Sequence, residues 1–150
     1  MKDITNSMKI TIPAYSMNEG LARKCATAFA SQLDPTIEEI NDIKAAVSEA
    51  VTNCIVHAYK DKIGDIQMEL RIVGSDTLYI RIKDKGCGIP DVKKAMEPLF
   101  TTSPETERSG LGFSVMESFT DKIKVRSVVG NGTIVTLEKK INGRFLKDGQ

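Results

Sequence analysis

AVSEAVTNCIVHAY, residues 46–59, sets Glu49, Asn53 and His57 four residues apart, so on a helix of 3.6 residues per turn each is displaced only about 40° from the last. The three form one polar stripe. Val47, Ala50, Val51, Cys54 and Ala58 recur at the three-and-four spacing of a buried helix face, and the stripe borders that face instead of lying opposite it. A stripe so placed lines a half-buried pocket. Taken alone it reads more readily as a solvated flank that carries an acid, an amide and an imidazole by accident. The downstream motifs decide between the two.

An alternating strand runs into Asp84-Lys85-Gly86-Cys87-Gly88, and Arg108-Ser109-Gly110-Leu111-Gly112-Phe113 opens onto a helical run. Glycines in such places let backbone approach a ligand closely, and N–H groups at a helix start attract anions. Acid-x3-Asn on a helix, then strand-Asp-x-Gly-x-Gly, then Gly-x-Gly before a helix resembles the ATP-binding domain shared by gyrase, a heat-shock chaperone, sensor histidine kinases and mismatch-repair ATPases. Three such elements in this order are far more specific than any one. More narrowly, SEAVTNCIVHAY, EPLFTTSPETERSGLGF and NEGLARKCATAF resemble the anti-sigma-F factors of spore-forming bacteria, over nearly the whole chain.

Composition fits a globular domain. The chain has 150 residues, the size of one domain that can bury a core without disulfides or metals. No apolar run approaches a membrane span, and no apolar signal core follows Lys2 and Asp3, so the cytoplasm is the expected compartment. Cys25, Cys54 and Cys87 are odd in number and lack metal-ligand spacing, so free thiols are expected. The formal net charge is +1, which gives no general attraction for nucleic acid. Lys122, Lys124 and Arg126 alternate with Ile123 and Val125, the pattern of a strand with one wet face.

In chain order, residues 8–13 alternate as a strand. Ser16 and Glu19 have the spacing of a capping box, followed by a stripe of Met17, Leu21, Cys25, Ala28 and Leu33 that stops at Asp34-Pro35. Thr36 and Glu39 make a second box, opening a long helix through Ile40, Ile43 and Val47 into the polar stripe. Residues 66–72 and 78–82 alternate around a Gly74-Ser75-Asp76 turn, and residues 122–129 and 133–140 flank Gly130-Asn131-Gly132. Both read as hairpins. Residues 91–96 suggest a short helix, residues 97–108 a lid between the glycine motifs, residues 114–119 a helix, and residues 142–150 a frayed polar tail. The whole, residues 1–150, is expected to be one α+β domain: a two-layer sandwich with helices on one face of a mostly antiparallel sheet. The resemblance implies the same Bergerat-type ATP-binding fold and adds a homodimer.

Phosphoryl transfer needs positioned phosphates, neutralised charge and an aimed hydroxyl. Asn53 offers a hard neutral oxygen for phosphate-bound Mg²⁺, and Glu49 can take or orient the proton of an incoming serine hydroxyl. Gly110 and Gly112 would bring N–H groups to the phosphates, with Ser109 and Leu111 beside them. Thr101 and Thr102 belong to the lid, and Arg108 would meet the terminal phosphate with its guanidinium fork. Asp84, at a strand end beside a glycine turn, would accept a hydrogen bond from an exocyclic amine, which adenine has and the six-position of guanine lacks. The resemblance gives Asp84 that adenine role, matches Gly86 and Gly88 to the family's glycine turn and sets Thr133 near the base. His57 is read as a structural residue.

The resemblance also implies partners. It describes an ATP-dependent protein-serine kinase that inhibits a sporulation sigma factor, sigma F, and phosphorylates its anti-anti-sigma antagonist, with ATP or ADP occupancy choosing between them. Glu19 and Arg23 match residues that contact those partners, although their i,i+4 spacing is equally that of an intrahelical pair. Two alternatives are a general-stress-response anti-sigma kinase and a nucleotide-gated binding module without transferase activity. Glu49 weighs against the second, since pure binding needs only Asn53, Asp84 and the glycines.

Overall fold

A computed structural model describes residues 3–60, 62–97 and 112–143 of the chain. Strands β1 (Ile4–Pro13), β2 (Asp65–Val73), β3 (Thr77–Asp84), β4 (Lys122–Val128) and β5 (Gly132–Lys140) form one sheet in the order β1-β2-β3-β5-β4, with every neighbouring pair antiparallel. The helices are α1 (Asn18–Ala30), α2 (Ile37–Asn53), the single-turn α3 (Val92–Ala95) and α4 (Gly112–Phe119). α2 packs between α1 and α4. The alternation in the sequence sets the layers: Ile66, Met68, Leu70 and Ile72 of β2 and Leu78, Ile80 and Ile82 of β3 are buried, because successive strand side chains point to opposite faces. Ile43, Ala46, Val47, Ala50 and Val51 of α2 close over them. The opposite sheet face carries a polar row in register across all five strands, Lys9, Glu69, Arg81, Thr136 and Lys124. The α+β sandwich expected from the sequence is the observed architecture, and Lys122, Lys124 and Arg126 are exposed as expected.

The second capping box forms as expected. Thr36 Oγ1 accepts the Glu39 N–H at 3.1 Å, and Glu39 Oε1 accepts the Thr36 N–H at 2.9 Å. Glu39 does more than cap. Its Oε2 also accepts the Asn142 N–H at 2.7 Å and its Oε1 the Gly143 N–H at 3.1 Å, so the first two residues of the expected frayed tail are tied to the start of α2. Burial would raise the Glu39 carboxyl, but the N–H groups of Thr36, Asn142 and Gly143 and the Thr36 hydroxyl outweigh it and hold the group below its ordinary range.

A carboxyl depressed in this way stabilises the fold fully above its unfolded pKa of about 4.3, and loses that contribution as pH falls through the folded value. Glu39→Gln leaves one acceptor oxygen and turns an amide donor toward the third N–H. It is expected to destabilise by about 1–3 kcal/mol at neutral pH. Thermal melts of parent and variant from about pH 7 to pH 3 should show the gap in Tm closing on acidification. A gap that stays constant would mean that these bonds do not carry the stability assigned to them.

α1 departs from expectation. No side chain caps it, and Glu19 N–H bonds the Ser16 carbonyl at 3.2 Å instead of the Ser16 hydroxyl. Its buried face is Ala22, Ala26, Phe29 and Ala30, one position out of phase with the expected Met17, Leu21, Cys25, Ala28 and Leu33 stripe. Met17 is 80% exposed and Leu21 47%. Three alanines let α1 approach α2 more closely than a leucine and methionine ridge allows, and close packing decides the phase. α1 ends at Ala30, a 3₁₀ turn over Ser31–Leu33 prolongs it, and the helical run stops as expected before Pro35, at Asp34 with φ of 50° in the left-handed region.

Candidate functional site

Asp84 follows Ile80 and Ile82 on the inward face of β3, so the alternation that builds the core also turns this carboxylate toward the helices. It is 6% exposed. Oδ1 accepts the Gly86 N–H at 2.9 Å and the N–H of Thr133, its register partner on β5, at 3.2 Å. Oδ2 lies 3.6 Å from the Cys54 thiol. Burial raises the Asp84 carboxyl above its ordinary value, against the N–H of Gly86, the Cys54 thiol and the N–H of Thr133. With two N–H donors on Oδ1, Oδ2 is the oxygen with room for a further donor beside the Cys54 thiol. Thr133 is buried beside Asp84, its hydroxyl 2.8 Å from Ser127 Oγ.

The glycines around Asp84 are also required by the chain's own packing. A Cβ on Gly86 would overlap the Ala58 carbonyl, one on Gly88 would overlap the backbone of Val128, and one on Gly132 would overlap the Asp84 carbonyl. Gly88 and Gly132 also have positive φ, 78° and 119°. Their missing side chains therefore make room for the protein's own backbone, seating the loop between the end of α2 and the β4–β5 hairpin. Cys87 N–H donates to the Ala58 carbonyl at 3.0 Å, and Gly130 N–H to the Cys87 carbonyl at 2.8 Å.

The end of α2 also differs. The α-helix stops at Asn53, and Cys54–Ala58 form a wider π turn closed by Tyr59 N–H on the Cys54 carbonyl at 3.2 Å. The expected stripe therefore continues only from Glu49 to Asn53, because an i→i+5 turn rotates His57 by a different angle. Glu49 and Asn53 do meet a glycine motif. A Cβ on Gly112, the first residue of α4, would lie 3.3 Å from both amide atoms of Asn53 and 3.5 Å from Glu49 Oε2. Consecutive residues of one turn thus join the motifs: Asn53 borders the space that a side chain on Gly112 would fill, while Cys54 Sγ reaches Asp84. Thr101, Thr102, Arg108, Ser109, Gly110, Leu111 and nearly all of the expected lid lie outside the described residues.

The histidine kinase-like ATPase domain family matches residues 12–139. An anti-sigma F factor from Thermoanaerobacter pseudethanolicus is 52% identical over 139 residues, covering 93% of this chain and 96% of the relative. The anti-sigma F factor of Clostridium beijerinckii is 51% identical over 138 residues, covering 91% and 96%. The chain belongs to the anti-sigma F factor family. Among solved structures, the RsbU and RsbW domains of a Mycobacterium tuberculosis protein share its fold, with a TM-score of 0.67 at 19% identity over 91% of this chain and 33% of that one.

In this anti-sigma F family member, Tyr59, Ser127 and Cys54 also shape the site, and none was singled out from the sequence for it. The Tyr59 hydroxyl donates to the Asp65 carbonyl at 2.7 Å and accepts the Lys85 N–H at 2.6 Å, bracing the residue after Asp84. Ser127 Oγ accepts the Ile89 N–H at 2.7 Å and reaches the Gly132 carbonyl at 3.1 Å. A lone Tyr after a helix and a Ser inside an alternating strand carry no motif, so only the fold reveals them. A recess of about 790 Å³ on the polar sheet face includes none of the motif residues. Among the described residues no three His, Cys, Asp or Glu cluster to hold a metal, and no helix is long and apolar enough to cross a membrane.

Proposed function

We propose that this chain is an ATP-dependent protein-serine kinase that binds and inhibits sigma factor F and phosphorylates a serine of the anti-anti-sigma protein that opposes it. The observation that carries the reading is the convergence on one turn, with Asn53 against Gly112 and Cys54 against Asp84. A base amine on Asp84 Oδ2 and phosphates near Gly112 are then served by adjoining residues. Mg²⁺, bound through the phosphates and the Asn53 amide oxygen, would neutralise phosphate charge; the lack of a carboxylate cluster among the described residues suits a metal that arrives with its nucleotide. Glu49, one turn before Asn53, accepts or orients the serine proton. Gly86 and Thr133 hold Asp84 through their N–H groups and Gly88 seats the loop against Val128 at the base side, while Thr101, Thr102, Arg108, Ser109, Gly110 and Leu111 complete the phosphate side. In this reading the protein works as a homodimer in the cytoplasm. The test is to mix it with MgATP and the candidate antagonist and look for phosphoserine by mass. Nucleotide binding without phosphoserine would favour a nucleotide-gated binding module.

Partner binding is assigned to the start of α1. Glu19 Oε2 and Arg23 Nε lie 3.6 Å apart, with side chains 25% and 39% exposed, and such a pair contributes little to folding. Tyr15, Met17 and Leu21 are exposed on the same stretch, and exposed apolar side chains beside a charged pair support a protein contact. Arg23→Ala should therefore leave Tm and ATP affinity nearly unchanged and weaken sigma-factor or antagonist binding about 10-fold or more, or ~1.4 kcal/mol. A thermal melt, with calorimetric titration of ATP and of the partner on the same preparation, checks all three. Unchanged partner affinity would confine Arg23 to its own helix.

A further inference from the structure

Cys54 is 3% exposed, and the chemistry above gives its thiol no part. Its Sγ lies 3.6 Å from Asp84 Oδ2 and 3.4 Å from the Ala50 carbonyl oxygen. One thiol proton therefore faces two acceptors. An apolar, buried setting keeps a thiol protonated, so the sulfur has one hydrogen to share between them. On the carboxylate, Gly86 and Thr133 N–H groups occupy Oδ1, which leaves the thiol as the donor recorded on Oδ2 among the described residues. A buried acceptor without any donor is unfavourable, whereas a strong permanent donor on Oδ2 would draw on the charge and space that an incoming amine needs, even though a carboxylate oxygen can take two donors as Oδ1 does. A thiol is a weak donor and meets both conditions.

We propose that Cys54 is a positioning residue of the adenine subsite: its S–H covers Asp84 Oδ2 while the pocket is empty and turns to the Ala50 carbonyl when a nucleotide's exocyclic amine takes that oxygen. No covalent bond changes. Both acceptors are already in reach of the sulfur, so the S–H need only rotate. The consequence is a set point for nucleotide affinity, because a stronger donor at residue 54 would compete with the amine and no donor would leave Oδ2 waiting for it. The inference rests on the reading of Asp84 as the adenine acceptor.

The experiment uses the full chain with ADP as probe. Cys54→Ser, a stronger donor, should weaken ADP binding by about 2- to 10-fold, and Cys54→Ala should tighten it by a similar factor. A merely structural cysteine would move both variants the same way. The infrared S–H stretch gives a readout in the parent that does not depend on how the variants fold. The band that disappears in Cys54→Ser should shift on adding ADP, and should stay in place with inosine diphosphate, which has a carbonyl where adenine has the amine. Shifts of affinity in the same direction, or a band that ADP leaves in place, would overturn the role of Cys54 while Asp84→Asn still weakens ADP binding. If Asp84→Asn leaves ADP affinity unchanged, the adenine reading itself falls, and this role with it.

Discussion

Glu49→Gln is expected to slow phosphoryl transfer to serine by about 10²–10⁴ while leaving ATP affinity unchanged, the range set by loss of a general base. The amide has the shape of the carboxylate. Glu49 sits beside Gly112 and one turn before Asn53, so an isosteric change should leave that packing intact and remove only basicity. Single-turnover phosphorylation of the antagonist at saturating MgATP isolates the chemical step from binding. A rate within about twofold of the parent, small against that range, would make Glu49 structural. A joint fall in rate and ATP affinity would instead make it a binding group.

Asp84→Asn should weaken ATP binding by about 1–3 kcal/mol, or roughly 5- to 150-fold. The amide oxygen can still accept from Gly86 and Thr133, which both use Oδ1. The nitrogen then replaces Oδ2 and presents a donor to the donor of the adenine amine. Stability should not fall in parallel. Because burial raises the Asp84 carboxyl in the fold, the unfolded chain ionises first as pH rises, and the ionised group opposes folding above its unfolded pKa of about 3.9. Removing that ionisation should hold or raise Tm at neutral pH. Titration of labelled ATP together with thermal melts separates the two effects. Undiminished affinity in a folded variant would remove Asp84 from the adenine subsite, and a collapse in Tm would mean that its role is to hold the loop.

What the chain determined by itself is whatever depends on period and local chemistry. Alternation from Ile66 to Ile82 fixed two strands and their inner face, and the same count carried Asp84 inward. Thr36 and Glu39 fixed the start of α2 through bonds that span three residues. The spacing of Glu49 and Asn53 put both on one side of a regular helix. Tertiary packing decided the rest. The phase of α1 went to Ala22, Ala26, Phe29 and Ala30 because side-chain size governs how closely two helices approach, and that depends on the partner helix. The turn after Asn53 widened where the Asp84 loop rests on the Ala58 carbonyl, which took His57 off the expected line. Gly86, Gly88 and Gly132 were legible as places where something comes close, but whether that is a ligand or the chain's own backbone depends on elements far apart in sequence. The same holds for Glu39 gripping Asn142 and Gly143, and for Cys54 reaching Asp84: hydrogen bonds between distant residues leave no periodic trace, and only the folded sheet brings their partners within reach.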